Sequence, residues 1–393
     1  MIRYKLGEFF SGPGGMALGA HYAVDEDHGG DPDLVDRVKV EHAWGVDYDK
    51  DSVSTYIANI PGATSDTVHA EDARVMSSPE RLGQLEDIDG FAFGFPCNDF
   101  SLVGERKGLS GNFGGLYRTG LEVLMAKRPK WFVAENVSGI RSANSGTAFK
   151  QILRDLSMIS NDGEAEYVLT PHLYKFEEYG VPQKRHRVIV VGIHKSLSAE
   201  GTEFRVPAPT HGPGRGSEFV TAGEELGREF PPGTTHMDQT RQSPRVVERL
   251  SYIEPGENAF TAAERMPADL RLNVRGATIS QIYKKLREGE PSYTVTGSGG
   301  GGTHMYHWSQ NRALTNRERA RLQTFPDDFH FQGRRDSVRK QIGMAVPVRG
   351  AQAIFAALFK SLNQIPYDSV EPNIASSTYF GSSELSAQCT RSS

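Results

Sequence analysis

The chain is poor in cysteine: Cys97 and Cys389 are the only two in 393 residues. One widely separated pair is not a disulfide framework, and such usage suits a reducing cytoplasm. Long apolar runs are missing as well. Nothing reaches the roughly 18 apolar residues of a membrane span, and Arg3, Lys5 and Glu8 interrupt any apolar signal segment at the start. There is no surplus of basic residues, because 44 Lys+Arg against 49 Asp+Glu leave a net charge of −5. On its face that balance argues against a nucleic-acid partner. No internal repeat and no metal-ligand spacing is visible. With 37% hydrophobic and 24% charged residues, collagen-like and disordered classes also drop out.

The charge is unevenly placed. Residues 1–100 carry −12 and the rest +7, of which +5 lies between Gln310 and Arg349. A mean charge can hide a basic face, so a nucleic-acid partner stays open.

In the first two hundred residues short apolar runs alternate with helical patterns, the order of a doubly wound sheet. Strands are expected at Lys5 to Phe10, Val40 to Asp47, Thr67 to Ala70, Gly90 to Phe95 and Trp131 to Glu135. Helices should begin near Met16, Asp51, Leu116 and Thr147. Tyr167 to Phe176 and Arg187 to Ile193 read as a closing antiparallel pair around Tyr179-Gly180-Val181-Pro182. From Val206 the texture turns to Pro, Gly and charged residues, marking a hinge and a less regular second domain. Thr315 and Glu318 form a capping box, and an amphipathic helix should run from Val348 to Leu362. The expected division is 1–200 for a first domain, 201–332 for a second, 333–365 for a return to the first, and 366–393 for a Ser-rich disordered tail. The acidic insertion Asp25 to Asp36 reads as a solvated loop.

Four local signals carry chemistry. Phe10-Ser11-Gly12-Pro13-Gly14-Gly15 follows the first strand, where glycines let the backbone approach a ligand; a structural tight turn would look similar. Asp47 and Asp72, each near a strand's end, could accept from ribose hydroxyls and an adenine amine, or could be plain caps. Pro96-Cys97 ends the fourth strand on the same edge, so Cys97 is a nucleophile if a lowered pKa or a nearby base makes it a thiolate, and a small buried hydrophobe otherwise. Glu135, in Glu135-Asn136-Val137, closes the fifth strand there and could serve as an acid. Arg185 and Arg187 share a strand face by period two and could bind a carbonyl or phosphate.

Together these blocks resemble the cytosine-5 DNA methyltransferases, over Gly7 to Pro347. The further blocks are Gln183-x-Arg185-x-Arg187, Arg312-x-Leu314-Thr315-x-Arg317-Glu318 through Phe325-Pro326-Asp327, and Gly343-Met344-Ala345-Val346-Pro347. The resemblance implies an α/β fold, a doubly wound mixed sheet of the S-adenosylmethionine-dependent methyltransferase type with a smaller, irregular target recognition domain. It implies S-adenosyl-L-methionine as cofactor and S-adenosyl-L-homocysteine as product. Phe10, Ser11, Gly12, Gly14, Gly15, Asp47, Tyr48, Asp72, Ala73, Pro96, Leu116, Met344 and Ala345 would line that cofactor, although Met344 stands where the family commonly has Asn. Cys97 would attack C6 of a flipped cytosine, with Glu135, Arg185 and Arg187 as catalytic partners. Ser101 and the Gly-rich segment Gly104 to Gly115 resemble the family's catalytic loop, and Ser101, Arg106, Arg312, Thr296 and Gly297 would meet double-stranded DNA. Further implications are a restriction endonuclease as functional partner, no membrane, a monomer, and a bacterial cytoplasm with nucleoid association. An RNA cytosine-5 methyltransferase and an inactive DNA-binding homologue are the alternatives, and Pro13 disfavours a nicotinamide-dependent oxidoreductase.

Overall fold

The computed structural model describes residues 1–95, 115–158, 166–272, 281–297 and 305–375. The chain divides into two compact units: 1–175, 186–208 and 350 onward form the first, and 176–185 with 209–349 form the second.

The first unit is built on seven strands: β1 (Ile2–Phe9), β2 (Val38–Asp47), β3 (Val68–Ala70), β4 (Gly90–Gly94), β5 (Trp131–Val137), β6 (Tyr167–Lys175) and β8 (His186–His194), the two-residue β7 (Gln183–Lys184) lying in the second unit. Their order in the sheet is β3-β2-β1-β4-β5-β8-β6. β1 to β5 are mutually parallel, whereas β8 runs antiparallel to both β5 and β6. Phe91-Ala92-Phe93, Trp131 to Ala134 and Val188 to Val191 are all buried, as strands covered on both faces must be. The helices between them are α1 (Gly15–Tyr22), α2 (Lys50–Asn59), the short α3 (Ala73–Met76) and α4 (Pro79–Gln84), α5 (Tyr117–Lys127) and α6 (Thr147–Ser157). Strand order reverses between β1 and β4. A doubly wound sheet opens its ligand crevice at the carboxyl ends of the strands at such a point, and Phe10, Asp47, Phe95 and Glu135 stand at that edge.

Every expected strand appears, displaced by at most a few residues. The acidic insertion is exposed at Glu26, Asp27, His28, Gly29, Pro32, Asp33 and Asp36, as a solvated loop is, yet it is anchored: Leu34 is fully buried, His28 stacks on Tyr22 at 3.9 Å, and Lys360 pairs with Asp31 at 2.7 Å and Asp33 at 3.2 Å. Gln352 donates to the carbonyls of Tyr22, His28 and Gly29. Both partners lie on α12 (Val348–Leu362), the expected amphipathic helix. The expected disordered tail is ordered as far as residue 375. β11 (Ser369–Val370) pairs with β9 (Val206–Pro207), Asn373 hydrogen-bonds His172 and Leu173, and Ile374 enters the core. Backbone pairing and one Asn hold this segment, so low apolar content did not reveal it. Residues 376–393 lie outside the described residues.

The second unit has a smaller core around Leu250, Ile253, Met266, Leu270 and Tyr306. Its helices are α8 (Ala222–Gly227), α9 (Pro244–Ser251), α10 (Asn316–Leu322) and α11 (Arg335–Met344), while α7 (Lys195–Ala199) belongs to the first unit. The expected Thr315–Glu318 capping box starts α10. β7 pairs in parallel with β10 (Ser292–Tyr293). The domain boundaries expected from sequence differ from these units: 176–185 and 333–349 cluster with the second unit, not the first.

The basic stretch from Gln310 to Arg349 is not a basic face. Arg317, Arg319, Arg321 and Arg339 are buried. Arg317 donates to the carbonyls of Pro326 and Phe329, Arg321 grips Asp327 with two hydrogen bonds and lies 3.4 Å from the Phe230 ring centroid, and Arg312 makes a two-point contact with Glu318 at 2.8 and 2.7 Å. Exposed basic residues of the stretch are Arg334, Arg335 and Arg349. The segment Arg335–Leu362, which begins in this stretch and runs past it, has the length and composition of a membrane span, yet it is broken between α11 and α12 and 72% of its most apolar window is buried.

Candidate active site

The loop after β1 turns through left-handed backbone at Phe10 (φ 55°), Gly12 (φ 54°) and Gly14 (φ 95°). Its amides are anchored from β2: Ser11 N–H donates to the Val46 carbonyl at 3.2 Å, and Gly12 N–H to Asp47 Oδ2 at 2.9 Å. Asp47 Oδ1 takes the Asp49 amide, also at 2.9 Å. Asp47, expected as a ribose acceptor, thus shapes the loop with both oxygens. Gly14 is required twice over. Its φ suits glycine, and a Cβ there would lie 2.8 Å from Ile60 and 3.0 Å from Tyr56. Among the described residues, Gly12, by contrast, faces open space, and the Ser11 hydroxyl is buried with no hydrogen-bond partner. The next residue, Gly15, opens α1.

Asp72 caps α3 through the Arg74 amide and also pairs with the Arg74 side chain, which holds its carboxyl below the usual range. Ala73 and Leu116 are buried, and Tyr48 is 67% exposed.

On the same sheet edge, Val137 lies directly across from Arg187, so period two sets Glu135 and Arg187 as diagonal neighbours on one face. Arg187 Nε meets Glu135 Oε1 at 2.9 Å, with each side chain only 13% exposed. Arg187 Nη1 donates to the His186 carbonyl at 2.8 Å. Gly94, opposite Glu135 on β4, leaves the space this needs, for a Cβ there would sit 3.2 Å from Glu135 Oε2. This half-buried ion pair sets a carboxylate and a guanidinium side by side on one face of the sheet edge.

Sequence reasoning passed over Asn136 within its own motif. Its side chain is buried, donates to the Phe95 carbonyl at 3.0 Å and accepts the Val137 amide at 2.8 Å. It therefore fixes the end of β4 from which the chain continues into Pro96 and Cys97. Residues 96–114, with Pro96, Cys97, Ser101 and Arg106, lie outside the described residues.

Arg185, expected as catalytic, is 1% exposed and donates to main-chain carbonyls: Val295 at 3.0 Å, Gly343 at 3.1 Å and Ala345 at 2.9 Å. All lie in the second unit, where Arg185 is a tie. Gln183 works beside it, accepting the Val295 amide at 2.7 Å and donating to Leu322 at 3.0 Å and Gln323 at 2.9 Å. These ties press the 295–297 segment against α11: a Cβ on Gly343 would lie 2.0 Å from the Gly297 nitrogen. Thr296 is exposed and so is Met344, at 62%, while Ala345 is buried.

A family model described as C-5 cytosine-specific DNA methylase matches residues 4–360. The chain belongs to this family. It is 48% identical over 369 residues to the Type II methyltransferase M.BbvI of Brevibacillus brevis, covering 94% of each chain. It is 37% identical over 370 residues to the Type II methyltransferase M.NgoFVII of Neisseria gonorrhoeae, covering 93% of this chain and 88% of the relative. Among solved structures, a prophage-encoded E. coli chain described as a candidate DNA modification methyltransferase aligns with a TM-score of 0.67 at 22% identity, over 92% of this chain and 99% of that one. The S. pombe Dnmt2 methyltransferase aligns with a TM-score of 0.53 at 14% identity, over 92% of this chain and all of the other. These last two likenesses concern the fold: a mixed α/β sheet of the methyltransferase type. As a C-5 cytosine-specific DNA methylase, the protein is a DNA (cytosine-5-)-methyltransferase.

Proposed function

We propose that the enzyme methylates C5 of a cytosine turned out of duplex DNA at one short site, with Cys97 as nucleophile and S-adenosyl-L-methionine as methyl donor. The observation that carries this reading is the Glu135–Arg187 pair beside β4, the strand that leads through Phe95 to Pro96 and Cys97. Cytosine C5 is a weak nucleophile. Addition of the Cys97 thiolate to C6 breaks the C5–C6 π bond and turns C5 into an enamine carbon. Glu135 takes N3 and the exocyclic amine, and Arg187 takes O2, so that charge entering the ring meets fixed partners. After methylation a base removes H5, its electrons re-form the C5–C6 π bond, and the C6–S bond breaks to return the thiolate.

S-adenosylmethionine supplies an electrophilic methyl on a sulfonium and leaves as S-adenosylhomocysteine. The residues present suit it: among the described residues the buried Ser11 hydroxyl has no partner, Gly12 borders open space, and Phe10 lies beside them. Asp47, Tyr48, Asp72, Ala73, Leu116, Met344 and Ala345 complete the proposed cofactor set. In this reading the second unit recognises the target, the exposed Thr296 and the adjoining Gly297 meet DNA, and Arg312 acts by holding Glu318 at the start of α10. The Type II names of its relatives support pairing with a restriction endonuclease in a bacterial cytoplasm, with the enzyme working as a monomer.

Incubation with labelled S-adenosylmethionine and either duplex DNA or tRNA tests the reading. Label should enter DNA and vanish with Cys97→Ala; label confined to tRNA, or none at all, overturns it. With 5-fluorocytosine in the duplex, wild type should form a lasting covalent adduct, because fluorine at C5 cannot leave as a proton. Bisulfite sequencing of the product then reads the target site.

A further inference from the structure

Beneath the glycine loop lies a buried polar chain that the chemistry above does not use. Glu8, the penultimate residue of β1, is 0% exposed and accepts the Tyr56 hydroxyl on Oε2 at 2.8 Å. The same hydroxyl lies 3.3 Å from His42 Nδ1, and His42 Nε2 lies 3.0 Å from Thr67 Oγ1. These residues come from β1, α2, β2 and the turn before β3. The other Glu8 oxygen, Oε1, is buried without a hydrogen-bond partner among the described residues. Tyr56 is also the ring against which a Cβ on Gly14 would press, at 3.0 Å. Glu8 is therefore joined to the loop in two ways, along β1 through Phe9 and across Tyr56.

We propose that Glu8 is a positioning residue: through Tyr56 it sets the glycine loop, and so the affinity for the methyl donor, without touching that donor. The proposal rests on the reading of this loop as the S-adenosylmethionine site. A carboxylic acid suits this place better than a carboxylate, because the carboxyl is fully buried and a charge there is desolvated. Burial pushes the Glu8 carboxyl up to about 8, Asp47 adds to the rise, and the Tyr56 hydroxyl and Ala17 amide oppose it. Of the other titratable groups packed there, His42 is pushed down to about 4 by burial and His21 on α1 likewise, so both are neutral when Glu8 titrates. Ionisation of Glu8 must then be met by movement of β1, Tyr56 or the loop.

Calorimetric titration of the full chain with S-adenosylhomocysteine between pH 6.5 and 9.5 tests this, the product serving as a probe without the sulfonium charge. In wild type the dissociation constant should be flat below pH 7.5 and rise by about tenfold between pH 8 and 9.5. Glu8→Gln, neutral at every pH, should bind like wild type at pH 7 and stay flat. Tyr56→Phe removes a donor that favours the ionised form, so the inflection should move to higher pH. A purely structural Tyr56 would weaken binding without moving the inflection. Equal pH profiles for wild type and Glu8→Gln overturn the proposal, as does an unmoved inflection in a folded Tyr56→Phe. If wild type binds no S-adenosylhomocysteine at any pH, the cofactor reading itself has failed.

Discussion

Replacing Arg185 by Met separates two roles for that residue. The side chain keeps its length and loses three charge-assisted hydrogen bonds. The Val295 and Gly343 carbonyls lose this donor, while the Ala345 carbonyl keeps Gln323 Nε2 at 3.2 Å. A buried carbonyl stripped of its donor costs about 1–3 kcal/mol, so two cost roughly 2–6 kcal/mol. Removing a buried cation returns part of this, since its desolvation no longer has to be offset. A net loss of about 3 kcal/mol for the second unit follows, or a drop in Tm of roughly 10 °C for a unit of this size. Differential scanning calorimetry reads the shift, and hydrogen exchange should place the loosening at 293–297 and 343–345. Arg185→Lys, which keeps the charge but not the fork, should fall between the two. If Arg185→Met melts with wild type while kcat collapses, Arg185 acts in the chemistry and the tie is wrong.

Three other outcomes follow from the same geometry. Glu135→Gln keeps the shape of the site but not the acid, and single-turnover methylation should slow by about 10²–10⁴-fold; a rate within threefold of wild type contradicts the role given to Glu135. Glu8 has a folded value of about 8 against an ordinary value near 4.5, so its contribution to stability is full below about pH 4.5 and is lost as pH rises to about 8. Glu8→Gln should therefore gain on wild type across that window, by up to a few kcal/mol in chemical denaturation at pH 8, and a constant difference from pH 4.5 to 8 refutes it. Arg319 is buried with all three guanidinium nitrogens unpartnered among the described residues, and burial lowers it to about 10, which leaves it charged at neutral pH. Arg319→Met should raise the Tm of the second unit by a few degrees, the gain seen when an uncompensated buried charge is replaced by a packed apolar chain; a lower Tm means the charge has a partner.

Much of the first unit could be read from sequence because its signals are local. Apolar runs such as Phe91 to Phe93 and Trp131 to Ala134 mark strands buried on two faces, and period two alone sets Arg187 on the Glu135 face once the antiparallel pair is drawn. The glycine loop was legible for a similar reason, since left-handed backbone at Gly12 and Gly14 leaves a mark in residue type. What was hidden depends on which carbonyl a donor finds. Arg185 and Arg187 look alike two residues apart, yet one ends on Glu135 and the other on Val295, Gly343 and Ala345. Charge counting failed at α10 because Arg317, Arg319 and Arg321 point into the unit that they were expected to decorate. Asn373 escaped notice because one amide side chain, holding a strand two hundred residues away, leaves no pattern around itself.

The first unit is discontinuous, and this bears on synthesis. Tyr4 on β1 stacks against Phe359 at 5.5 Å, and Trp131 on β5 meets Phe355 and Phe359, both at 5.9 Å. One face of the sheet is thus closed by a helix made more than two hundred residues later. Residues 209–349 have left the ribosome before α12 can seal β1 and β5, so the chain of the second unit is complete while the first unit still lacks its aromatic cover. A chain cut after residue 349 should keep a protease-resistant fragment from the second unit and lose the first.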